Sequence, residues 1–404
     1  MVTLRSSKRK HIDVCIEEEV SDGEITSKYF KKDAPFEVET AEEESYVLPV
    51  ESEPANIEWI KSLNSEQYFT WVSEVTDDNP ERWNKPLDPK IFKNRPVGAP
   101  PFPKSFVEIY SRVRLMRSKI ITPVDSVGCA ALPITVSAKC DIQQNEIKPK
   151  NYRLQLLVSL MMSAQTRDES NAKAMLNLIK YSIEELGIPE GLNLEALLRI
   201  EEDVLVNLIK PVGFFNRKAH YIKQTVQLLI DEFESDIPTD IAGMLSLPGV
   251  GPKMGLLALQ KAWGKMDGIG VDVHVHRLCN MWHWVDPKKC KTAEHTRKEL
   301  ESWLPKELWY EINPLLVGFG QVICMARGKR CDLCLANDVC NAVDKKIANK
   351  GIMRSASKRR IQSPTKRGDF TLWLRHLEDE NDALKVVDSK KERPAPVNIK
   401  NEES

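Results

Sequence analysis

The 404-residue chain is expected to fold as an all-α body between two charged tails. The first sign is helical periodicity: Phe106, Ile109, Tyr110 and Val113 share one face, as do Leu154, Leu157, Val158 and Met161, and Ile222, Val226, Leu229 and Phe233. The second is negative, because stretches that could be strands are short and do not alternate. The third is length, which allows two compact domains plus tails.

Taken in order, residues 1–55 alternate basic and acidic blocks with few apolar side chains, the composition of a disordered tail. Residues 1–60 hold 15 acidic against 7 basic side chains, so a whole-chain charge of −1 leaves +7 on the remainder. A basic body suits a polyanionic partner. Residues 56–104 form an extension, partly ordered: Trp59, Tyr68, Phe69, Trp71 and Trp83 imply some helix, and the run from Asn84 to Pro103 is proline-rich and extended. Steady helical patterning follows. Beyond Cys340 the chain turns basic and polar, "SASKRRIQSPTKR", so residues 343–404 are expected to be a mostly disordered tail with one short helix around Phe370 to Leu377. The chain has no unbroken apolar run of membrane-spanning length and no apolar segment behind Met1, which excludes a membrane role and predicts a soluble protein.

"TDIAGMLSLPGVGPKMGLLALQKAWG" parses as helix, tight turn, helix. Thr239 or Asp240 suits the first helix cap, and Pro252 suits the first turn of the second helix because its missing N–H would be unpaired there. Gly249 and Gly251 tolerate positive φ and place no Cβ before an approaching ligand. Free N–H groups at a helix N-terminus attract phosphate, although an ordinary glycine-rich connection has the same sequence. Lys253 opens that helix, and "GIGVDVHVHRL" brings Asp272 some twenty residues later. Lysine and carboxylate together have the parts of an amine nucleophile and its proton partner. In isolation, such a pairing is more often a surface ion pair.

Nine cysteines are unevenly spread: Cys324, Cys331, Cys334 and Cys340 crowd into the spacing C-x6-C-x2-C-x5-C. That is a ligand cluster more than a disulfide framework, and it fits a reducing compartment. Spacing alone leaves zinc and iron–sulfur open.

These motifs resemble the endonuclease III family of helix-hairpin-helix DNA glycosylases. "LLVSLMMSAQTRDESNAKAM", "LIKPVGFFNRKAHYIKQT", "LPGVGPKMG", "VDVHVHRL" and "EINPLLVGFGQVIC" stand in the order found in its eukaryotic members, across residues 105–342. "SKRKHIDV" and "SKYFKK" look like the nuclear iron–sulfur form of budding yeasts. The resemblance implies a two-domain helix-hairpin-helix fold: residues 151–270 as a six-helix barrel, and residues 105–150 plus 271–342 as a helical domain with a [4Fe–4S] cluster on the four cysteines. It makes Lys253 and Asp272 catalytic. It places Gln165 and Phe214 in segments that enter the duplex, where sequence alone would suggest a helix cap and a core residue. Gly249 and Gly251 would hold phosphate, as would Arg327, Lys329 and Arg330 on a basic loop braced by the cluster. Two departures from the family pattern are small: Val273 stands where threonine is usual, and the Lys253-to-Asp272 interval is one residue longer than in bacterial members.

The implied activity is bifunctional: excision of oxidised pyrimidines, with ring-opened purines as further substrates, through a Schiff base on Lys253 and β-elimination. Rival readings are a monofunctional adenine-mismatch glycosylase, which generally lacks the lysine, a non-catalytic hairpin protein that only grips phosphate, and a zinc-stabilised interaction module. The expected partner is damaged duplex DNA, bound by a monomer. "SSKRKH" and "SKRRIQSPTKR" resemble nuclear import signals, while Glu17, Glu18 and Glu19 disfavour mitochondrial entry. "TSKYFKK" resembles a docking motif for a MutL-type mismatch-repair partner through Ser27 to Phe30.

Overall fold

Two hydrophobic cores organise the chain, and the helices that build them follow the apolar patterning. A computed structural model describes residues 56–76, 83, 87–93, 100–349 and 368–376. Among these residues no helix is long and apolar enough to cross a membrane. The basic clusters at 6–11 and 357–367 and the aromatic motif at 26–32 lie outside them.

The helices that matter here are α1 (Ile57–Ser62), α2 (Ser65–Thr76), α3 (Phe106–Arg117), α4 (Leu132–Ser137), α5 (Pro149–Ser163), α6 (Asp168–Glu184), α7 (Phe215–Glu232), α8 (Ile241–Ser246), α9 (Pro252–Trp263), α10 (Val273–Met281) and α11 (Trp309–Val322). Helix α5 is buried from Tyr152 through Met162, the signature of a helix enclosed on all sides. Around it pack α4, α6, α7 and α9. Proline at its first turn starts it without an orphaned N–H.

The second core joins α3, α10 and α11 through Phe106, Tyr110, Val275, Leu278, Leu316 and Phe319. At its centre Glu311 accepts hydrogen bonds from the Tyr110 hydroxyl at 2.6 Å and from Arg114 at 2.5–2.6 Å, all three groups being buried. A buried charge set of this kind is held by its mutual hydrogen bonds, and losing one partner strands the others.

Core membership moves one expected boundary. Leu132, Val136, Ile142 and Ile147 pack in the first core, so the crossover between the cores falls before α4 and not at residue 151. The reason is local: α4 lies against α5 and α6. The return crossover lies between Trp263, in the first core, and Ile269, in the second.

Both flanks contribute ordered pieces. The Tyr68 hydroxyl of α2 donates to the Ala262 carbonyl at 2.8 Å, so the extension braces the C-terminal end of α9. At the other end, Ile121 bridges Asp369, and Trp373 is fully buried in the second core.

Candidate active site

The hairpin forms where expected. Asp240 caps α8, its carboxylate accepting from Gly243 N–H at 2.9 Å. Gly249 takes φ +77°, and a Cβ there would stand 2.4 Å from the Tyr221 ring. Glycine is therefore required twice, by conformation and by close approach. Gly251 differs from expectation: its φ is −101°, extended backbone, and a Cβ would meet nothing within 4 Å. The space before it is open, as a ligand approaching the backbone requires. No side chain caps α9 at this end, and Pro252 occupies its first position.

Lys253 follows directly, half-buried, in the first turn of α9. Asp272 is buried and caps α10: one carboxylate oxygen, Oδ1, accepts from His274 N–H at 2.9 Å and Val275 N–H at 2.8 Å. Its other oxygen takes part in neither bond. Two further groups feel both Lys253 and Asp272. Burial pushes the Asp168 carboxyl up, with the Gln321 hydrogen bond and the Lys253 charge opposing and the Asp272 charge adding to the rise. Burial likewise lowers His274, against the pull of Asp272. Lys253 and Asp272 thus both act on the charges of Asp168 and His274.

Gln165 and Phe214 stand exposed, both at positive φ, +50° and +56°. For non-glycine residues such backbone is uncommon and marks sites where surroundings impose it. Phe214 retains 58% of its surface, so it is not a core residue. With Arg217, Lys218, Tyr221 and Gly249, these two line one groove.

The four cysteines line a single cavity together with Trp282, Phe319 and Ile323. Burial pushes the Cys334 thiol up, and Cys324, Cys340 and Cys331 add to it. Asp344 N–H approaches Cys331 Sγ at 3.5 Å. Among the described residues no three His, Cys, Asp or Glu side chains stand together closely enough to hold a metal ion. The donor set, four sulfurs around a common apolar space, is one that a single zinc ion or an iron–sulfur cluster could use. Arg277, on α10, donates to the Cys324 carbonyl at 2.6 Å, so the helix capped by Asp272 also holds the cysteine loop.

The basic residues of that loop divide. Arg327 is exposed beside Gly328 at φ +77°. Arg330 pairs with the buried Asp332 at 3.1 Å, and Lys329 reaches the Ala342 carbonyl at 3.5 Å. Sequence reasoning passed over Asp168, His274, Gln321 and Lys218, because no short motif marks residues brought together only by the fold.

Residues 158–306 match the family described as HhH-GPD superfamily base excision DNA repair protein. Endonuclease III homolog 2 of Saccharomyces cerevisiae is 58% identical over 344 residues, 85% of this chain and 89% of that protein. Endonuclease III homolog 1 of the same yeast is 52% identical over 275 residues, 68% of each chain. A solved structure described as a non-covalent Endonuclease III-DNA complex covers 48% of this chain and 86% of its own, at 24% identity and a TM-score of 0.43. Fold and sequence relatives together define a helix-hairpin-helix DNA glycosylase of base excision repair. The chain belongs to the endonuclease III family.

Substituting the two hairpin glycines separates conformation from ligand approach. Gly249→Ala is expected to lower unfolding free energy by roughly 1–3 kcal/mol and to weaken duplex DNA binding. Gly251→Ala should leave stability within about 0.5 kcal/mol, yet also weaken binding. Urea unfolding and fluorescence anisotropy on a lesion duplex check both; unchanged binding by the Gly251 variant would contradict the phosphate role.

Proposed function

We propose that the chain is a bifunctional glycosylase and AP lyase acting on oxidised pyrimidines in duplex DNA. The observation that carries this reading is Lys253 in the first turn of the hairpin helix, within the same charged neighbourhood as the α10-capping Asp272. The Lys253 amine attacks C1′ of the extruded nucleotide, the bond to the base breaks, and the base departs with the electron pair. The C1′–O4′ bond then opens, O4′ taking the electron pair and a proton as the nitrogen gives up its own, and the imine so formed acidifies the C2′ proton, whose loss expels the 3′ phosphate and cuts the strand. Asp272 keeps one oxygen on the α10 N–H groups and turns the other to the amine proton or to charge developing on the sugar.

Gln165 and Phe214, exposed and conformationally fixed, suit entry into the stack opened by extrusion. Hairpin N–H groups and Arg327 suit the backbone phosphates. Cys324, Cys331, Cys334 and Cys340 would hold a [4Fe–4S] cluster, whose contribution is structural. Monomeric binding, nuclear residence and a MutL-type partner belong to the same reading.

Lys253→Gln should reduce strand cleavage at thymine glycol by about 10³-fold or more while binding persists, measured by denaturing gel. Base release without strand cleavage by the unaltered chain would return a monofunctional enzyme. The purified protein should be brown, with broad violet and blue absorbance that Cys334→Ser abolishes; a colourless protein holding one zinc ion would contradict the cluster.

A further inference from the structure

Lys218 is a buried cation outside the proposed catalytic pair. It retains 7% of its surface and sits in the first turn of α7. Its Nζ donates to the Met162 carbonyl at 2.6 Å, the Ala164 carbonyl at 2.7 Å and the Thr166 hydroxyl at 2.9 Å. Three donors meet three acceptors, which is the full capacity of an ammonium group. These acceptors bracket Gln165 on both sides. The backbone N–H of the same lysine donates to the Phe214 carbonyl at 3.1 Å.

A second contact set ties the same two loops. Gly213 N–H donates to Thr166 Oγ1 at 3.1 Å, and a Cβ on Gly213 would lie 2.8 Å from the Gln165 carbonyl. The backbones of the Gln165 and Phe214 segments therefore touch, each at positive φ. The carbonyls at the end of α5 favour a cation. Burial draws Lys218 down to about 8, so at neutral pH it keeps its proton and all three N–H groups.

We propose that Lys218 is a positioning residue that fixes the Gln165 and Phe214 segments in one register, so that both enter the duplex together when a damaged nucleotide is extruded. The inference rests on the duplex-entry roles proposed for those two residues. It does not depend on strand cleavage by Lys253. With the clamp gone, each segment relaxes toward ordinary backbone and the pair no longer meets DNA as one unit.

The test uses the full chain. Lys218→Met removes the ammonium; Thr166→Val removes one acceptor shared by Lys218 and Gly213 at nearly constant volume. Extrusion is read by 2-aminopurine fluorescence beside a thymine glycol, with each substitution placed in a Lys253→Gln background that cannot react. Both variants should weaken the extrusion signal at saturating protein, Lys218→Met by about 10- to 100-fold in extrusion equilibrium and Thr166→Val by less. With Lys253 restored, lesion cleavage in duplex should fall in parallel, while borohydride trapping on a preformed abasic site in single-stranded DNA, which needs no extrusion, falls far less. Loss of trapping equal to loss of duplex cleavage would mean general damage to the site and overturn the proposal. So would normal extrusion by both variants. If Lys218→Met does not fold, Thr166→Val alone decides. Extrusion by the Lys253→Gln protein, with no strand cleavage by the unaltered chain, would refute the lyase reading while leaving the clamp to be judged on its own signal.

Discussion

The arrangement turns on a lysine in the first turn of a helix, where the aligned backbone dipoles oppose a cation and welcome an anion. Lys253 stands there because Gly249 bends the chain over the Tyr221 ring and Pro252 starts α9 at once. Such a helix end draws phosphate toward the amine, and Asp272 returns a carboxylate to the same region. Neither residue is free to drift: the lysine is set by its helix, and the aspartate by two N–H bonds at the start of α10.

Rigidity behind the site comes from less conspicuous contacts. The Trp263 ring N–H donates to the Pro238 carbonyl at 2.9 Å, and the Arg153 guanidinium lies 4.4 Å over that ring while pairing with Asp236. Tyr68 anchors the far end of α9 from the extension. Helix α10 does the corresponding service on the other side, holding Asp272 at its start and Cys324 through Arg277. The cysteine loop thereby shares an element with the catalytic candidates.

Much of this was legible in the sequence, for physical reasons. Apolar spacing at 3.6 residues gives α3, α5 and α7, and the glycines and proline mark the hairpin because few other residues satisfy that backbone. Four cysteines in seventeen residues declare a shared centre. What was hidden depends on long-range contact. Lys218 looks like any exposed helix lysine until α5 ends against it, and Asp168 looks like a first-turn acid until Gln321 covers it at 2.8 Å. The role of residues 57–76 could not be read because its partner, α9, lies nearly two hundred residues away. At Gly251 only one of the two freedoms of glycine is used: the backbone is extended, and the missing Cβ leaves the space before it open.

The central claim is that the Lys253 amine bonds to the sugar from which a damaged base departs. The most direct measurement is peptide mapping of the protein incubated with a thymine glycol duplex and borohydride. The account predicts a stable protein–DNA adduct with its link on Lys253. An adduct on another side chain, or none from protein that cleaves the strand, would contradict it.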